Sequence, residues 1–120
     1  MNVEELKERT KNFAIEILKF VDELPAKNRT AEVLGRQLLR SGTSVGANYR
    51  SACRAKSRAD FVAKMGIVEE EADETIYWTE LLVEAKVTPK DRVTWLLREA
   101  DELVAIAVAS IKTARGQRAN

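Results

Sequence analysis

Arginine is the residue type in this chain whose spacing most clearly suggests chemistry. Between Val33 and Ala59 there are six basic residues and no acidic one, and five of the six are arginines: Arg36, Arg40, Arg50, Arg54 and Arg58. At about 100° per residue, these five lie within about 40° of one line along a helix. Thr43 and Ala47 fill the gap between Arg40 and Arg50, and such small residues let another backbone come close. A planar guanidinium suits two-pronged contact with phosphate or carboxylate better than a lysine ammonium does. A linear basic row of this kind predicts contact with RNA or another polyanion through its backbone. No interleaving of lysines with aromatic residues points to reading of bases.

A second reading competes with the first. From Asp60 to Lys86 there are eight acids (Asp60, Glu69, Glu70, Glu71, Asp73, Glu74, Glu80 and Glu84) against two bases. The arginines can therefore pair with this acidic segment, within one subunit or between subunits. The net charge of the chain is only +1, so segregation of charge, not its total, is what supports a polyanion.

Other chemistry is poorly supplied. The chain has no histidine, which removes the commonest general base and metal ligand. Cys53 is the single cysteine, so neither an internal disulfide nor a Cys-His nucleophile can form. The carboxylates at Glu69–Glu71, Asp73 and Glu74 lack the Glu-x-x-His pairs of a bundle di-iron site and read as a solvated face. The run "SGTSVG" lacks the Lys-Ser ending of a phosphate loop and follows no strand. These features predict a non-enzymatic protein with no cofactor and no metal. The lone cysteine, the absence of a secretory signal and the lack of a long apolar run predict a cytoplasmic protein with no membrane partner.

The elements that must hold these residues are helices. Four segments show apolar residues every three or four positions. The first spans about 3–24, with Leu6, Thr10, Phe13, Ile17, Val21 and Leu24 on one stripe. Thr30 is the candidate cap of a second helix over about 31–55, with Leu34, Leu38, Val45, Tyr49 and Ala52 on its face. Ser57 opens a third over about 58–86, carrying Phe61, Met65, Val68, Ala72, Thr75, Thr79 and Leu82; a continuous bent helix through Lys56 and Ser57 is the alternative. Thr88 followed by Pro89 is the start signal of a fourth helix over about 89–114. Gly116 stops it, leaving a tail over 116–120. The fold class is all-α: one domain, 1–115, forming an antiparallel up-and-down four-helix bundle of the 120-residue chain.

Two further features concern packing. Gly35, Gly42 and Gly46 share a side of the second helix, which predicts close approach of a neighbouring helix there. Asn48 lies at the edge of that helix's apolar face, either as a satisfied structural amide or as a ligand contact. Ile67, Trp78 and Leu81 on the third helix, and Trp95 and Ile106 on the fourth, lie off their main stripes. Apolar groups so placed predict a homo-oligomer interface.

The stretch "LLRSGTSVGANYRSACRAKSRADFVAKMGIVEEEADETIYWTELL", from Leu38 to Leu82, resembles the bacterial four-helix-bundle family named after the 23S rRNA intervening sequence. The resemblance rests on the run from Ser41 that puts Asn48 at the family's polar position, on "KSRADF" at the start of the third helix, and on "EEADETIYWTELL". Where the family places Glu-Gly soon after the Asn, this chain has Ala52-Cys53. The resemblance implies a homopentameric ring of bundles without enzymatic activity. It also implies kinship with the accessory proteins of diversity-generating retroelements, similar pentamers with a basic surface held to contact nucleic acid.

Overall fold

A computed structural model of the chain describes residues 1–116. Four helices follow one another: α1 (Val3–Asp22), α2 (Arg29–Ala52), α3 (Arg58–Glu84) and α4 (Thr94–Ala114), with a 3-10 turn at Lys90–Arg92 before the last. They form an elongated bundle, 48 × 27 × 21 Å. Each helix packs on the next in sequence, whereas α1 and α4 touch only sparsely. No strand occurs among the described residues. The part of the expected tail beyond Gly116 lies outside them.

Local chemistry sets the helix ends. Asn2 begins α1 with a reciprocal capping box: its side chain accepts from Glu5 N at 2.8 Å, and the Glu5 carboxylate accepts from Asn2 N at 3.4 Å. Ser57 caps α3, accepting from Asp60 N at 3.0 Å. Asp60 reaches back to accept from Lys56 N at 3.0 Å and from Lys64 Nζ at 3.0 Å. Those bonds, the backbone one first, hold the Asp60 carboxyl below the usual carboxylate range. The cap also separates α3 from α2, so the two are not one bent helix.

Two starts differ from the sequence expectation. Asn28, not Thr30, caps α2, because its extended backbone lets Oδ1 accept from Ala31 N at 2.9 Å. Asn is the stronger cap, and it begins the helix two residues earlier. Thr88 caps nothing. Lys86 takes φ 62 and its neighbour Val87 donates back to Leu82 O at 2.9 Å, closing the end of α3. Pro89 stays extended, the chain makes a single 3-10 turn, and buried Val93 leads into α4 without a side-chain cap.

The interior is apolar, with a few paired polar groups. Phe13, Ile17, Leu38, Val45, Met65 and Leu82 are fully buried, and α4 adds Leu96, Ala100 and Leu103. At mid-height Thr75 Oγ1 donates to Ser41 Oγ at 2.9 Å, joining α3 to α2. Every fully buried side-chain nitrogen or oxygen among the described residues has a partner. The sparse α1–α4 seam is closed by a fork: Arg9 donates to both Glu99 oxygens, at 2.7 and 2.8 Å, and to Glu102 at 3.0 Å. This carboxylate embrace raises the Arg9 pKa further above its ordinary value. Phe13 and Trp95 meet beside it with ring centroids 6.5 Å apart.

The glycines of α2 bring it close to α1. A Cβ on Gly42 would stand 2.8 and 2.9 Å from Cγ1 and Cγ2 of Ile17, and one on Gly46 3.2 Å from Thr10 Oγ1. Gly35 faces Leu24 and Val21 of the same neighbour. Gly66, in the interior of α3, has nothing within 4 Å of that position. Alanine gains about 1 kcal/mol over glycine inside a helix, while overpacking a tight core costs about 1–3 kcal/mol. The two sites therefore respond oppositely. Gly66→Ala raises the urea unfolding midpoint, by about 0.5–1 kcal/mol in stability. Gly42→Ala lowers it, by about 1–2 kcal/mol net.

Candidate nucleic-acid interface

The five arginines do not form one continuous row. α2 ends at Ala52, so Arg54 sits in the connection and Arg58 opens α3. The single helical line that would carry all five is broken where Ser57 starts a new helix. This corrects the sequence expectation of a second helix reaching residue 55 with the stripe running on to Arg58.

Packing then sorts the arginines into two sets. Arg36 Nη2 donates to Glu32, one turn back on α2, at 2.6 Å. Arg40 crosses to α3, donating to the two Glu71 oxygens at 3.3 and 3.2 Å and pairing with Glu74. Glu74 also accepts from Trp78 Nε1 at 2.9 Å, so arginine, carboxylate and indole form one network. Arg50, Arg54 and Arg58 are exposed, and no carboxylate lies within 4.0 Å of them among the described residues. Exposed Lys56 sits between the latter two.

Arg50 borders a groove on the outer side of the α1–α2 seam. Its floor is Ala14, Thr43, Gly46 and Ala47, and its rim holds Lys7 and Lys11 with Glu4 and Glu8. Lys7 lies 3.6 Å from Glu4 and Lys11 3.9 Å from Glu8, both loose, solvent-screened pairs. Lys7 and Lys11 escaped the sequence reading because each has an acid three residues before it, and α1 therefore looks balanced. Arg9 and Glu99 escaped it as well. The signal was a glutamate on the Leu96–Leu103 stripe, where a buried carboxylate needs a cation.

Asn48 is half-buried, and its Nδ2 donates to Ser44 O at 2.8 Å, one turn back in its own helix. The expected apolar interface residues divide. Ile67 is exposed and Trp95 is 46% exposed. Leu81 is half-buried, while Trp78 and Ile106 rest against the core cluster. Tyr77, 53% exposed, makes an edge contact with Trp78 at 5.1 Å, and Ile15, Leu18 and Val33 are also exposed. No group of three or more Asp, Glu or Cys is placed to hold a metal ion, and no helix is long and apolar enough to cross a membrane, among the described residues.

Comparison with known proteins adds an independent line. The family model described as 23S rRNA-intervening sequence protein matches residues 4–109. Among solved structures, the chain is similar to a protein of unknown function from the S23 ribosomal protein family of Bacteroides thetaiotaomicron. The two are 36% identical, the match covers 88% of this chain and 97% of that one, and the TM-score is 0.82. No curated protein matches the chain.

The sorting of the arginines has a measurable consequence. Arg40→Ala removes a network on a half-exposed surface and lowers stability by about 0.5–1 kcal/mol. Arg50→Ala removes no ion pair and stays within about 0.5 kcal/mol of the parent. Chemical denaturation at low and high salt checks both, because the Arg40 effect shrinks as salt rises.

Proposed function

The chain belongs to the 23S rRNA-intervening sequence protein family, and from that premise we propose that it is a non-catalytic, homo-oligomeric bundle that holds RNA by its sugar–phosphate backbone. Arg50, Arg54 and Arg58 make the contact. The observation that carries this reading is their lack of any carboxylate partner within 4.0 Å among the described residues, in a chain that pairs Arg36 and Arg40. Arginines without internal partners, gathered about one end of α2 and the start of α3, suit phosphate oxygens. The proposed site of action is the cytoplasm, in keeping with the single Cys53.

Self-association is the second half of the proposal. Exposed Ile67, Tyr77 and Trp95 supply apolar area that a lone bundle leaves in water. The family resemblance points to a ring of five, and a cyclic assembly needs two different, complementary faces on each subunit.

A competing role, an adaptor with no nucleic-acid contact, draws on the Arg40–Glu71/Glu74 network, in which an arginine serves a neighbouring helix instead of a ligand.

A gel shift with a structured RNA, run over a salt series, separates the two. Three phosphate contacts give a slope of log affinity against log salt of about −2 to −3. Arg50→Glu/Arg54→Glu abolishes the shift, while Arg36→Ala leaves it within about twofold, because Arg36 is not part of the unpaired set. Unchanged affinity in the double variant overturns the RNA role. Absence of RNA binding, with an oligomer that dissociates in light scattering after charge reversal at Arg40, establishes the adaptor role instead.

A further inference from the structure

At the end of the bundle where α1 begins and α2 ends lies a pocket of about 500 Å³, open to solvent on one side. Leu6, Tyr49, Ala52, Cys53, Phe61 and Ile106 wall it, so all four helices or their connections contribute. Its size is that of a site for a small organic molecule. We propose that this cavity binds a small, uncharged, largely apolar molecule that carries one hydrogen-bond acceptor, such as a ketone or an ester.

The chemistry of the wall selects that class. No charged side chain is among the lining residues, so a carboxylate or ammonium carried past the rim would exchange hydration for apolar wall. Two of the polar lining residues are already engaged on helix starts: Asn2 Oδ1 accepts from Glu5 N at 2.8 Å and Ser57 Oγ accepts from Asp60 N at 3.0 Å. The remaining polar groups among the lining side chains are the Tyr49 phenol, the Cys53 thiol and the Ser110 hydroxyl. Tyr49 is only 5% exposed, and the thiol beside its hydroxyl is a weak partner. Burial pushes the phenol pKa up from its ordinary value, so this group stays a donor at any physiological pH. An acceptor on the ligand gives it a stronger partner than sulfur does. The exposed Met1 and Val3 lie on its open side. Cys53 also explains itself here, as a small soft wall beside the phenol.

This site is independent of the RNA contact. Nile red, uncharged and with a ring carbonyl, is the probe. The full-length protein binds it at one molecule per chain with enhanced fluorescence, and bound probe slows alkylation of Cys53 by N-ethylmaleimide at least fivefold. Ile106→Trp fills the space and abolishes both effects. Tyr49→Phe weakens binding about tenfold, the loss of one buried hydrogen bond. 2-Decanone displaces the probe and decanoate does not. Val33→Ala, on the outer surface near the other end of α2, changes nothing. Three results overturn the proposal: no enhancement with the wild-type protein, unslowed alkylation in its presence, or equal displacement by decanoate. The alkylation readout uses the unmodified protein and stands even if Ile106→Trp fails to fold.

Discussion

The approach of α2 to α1 is the constraint from which the rest of this structure follows. Gly42 leaves room for the fully buried Ile17, and Gly46 lies against Thr10, so the two backbones come close enough that side chains could not intervene. That contact fixes the rotation of α2 about its own axis. Once α2 is set, Ser41 must point at α3, where it meets Thr75. Arg40 falls on the α3 side and finds Glu71 and Glu74, while Arg50 falls on the α1 side and finds a groove rim. A packing requirement thus decides which arginines are consumed by the fold.

Much of this was legible in the sequence, and the exceptions have physical causes. The four helices, the α3 cap at Ser57 and the glycine side of α2 follow from periodicity and from the cost of glycine in a helix. The continuous arginine row was not legible, because it assumed one helix through Cys53 and Lys56. The Ser57 cap, with Asp60 bonded back to Lys56, ends that line. Thr88-Pro89 reads as a helix start from residue types alone. The left-handed Lys86 and the buried Val93 instead turn the chain once before α4 can begin. The Arg9–Glu99 fork spans ninety positions of sequence, and no local pattern records which acid meets which base at that distance.

The candidate surfaces share a common logic. α3 gathers acids, yet Glu71 and Glu74 pair with Arg40 and Asp60 with Lys64, while Glu70, Asp73, Glu80 and Glu84 are exposed. The bundle therefore keeps its charge segregated: an acidic outer face on α3, with its exposed Tyr77, and an unpaired basic end at the α2–α3 connection. A nearly neutral chain with such separated faces can bind a polyanion at one place without attracting it everywhere. The apolar cavity at the same end of the bundle is walled by Tyr49 and Cys53 in the last turn of α2 and just past it, so ligand and arginines share a structural element.

The most direct test of the central claim, that packing sorts the arginines, is nuclear magnetic resonance of the guanidinium N–H groups, Nε and Nη, with and without a short structured RNA. The account predicts slow-exchanging, ion-paired signals for Arg9 and Arg40 in the free protein, unmoved by RNA, and shifts on RNA addition confined to Arg50, Arg54 and Arg58. Equal shifts at Arg36 and Arg40, or no shift at Arg50, Arg54 and Arg58, would contradict it.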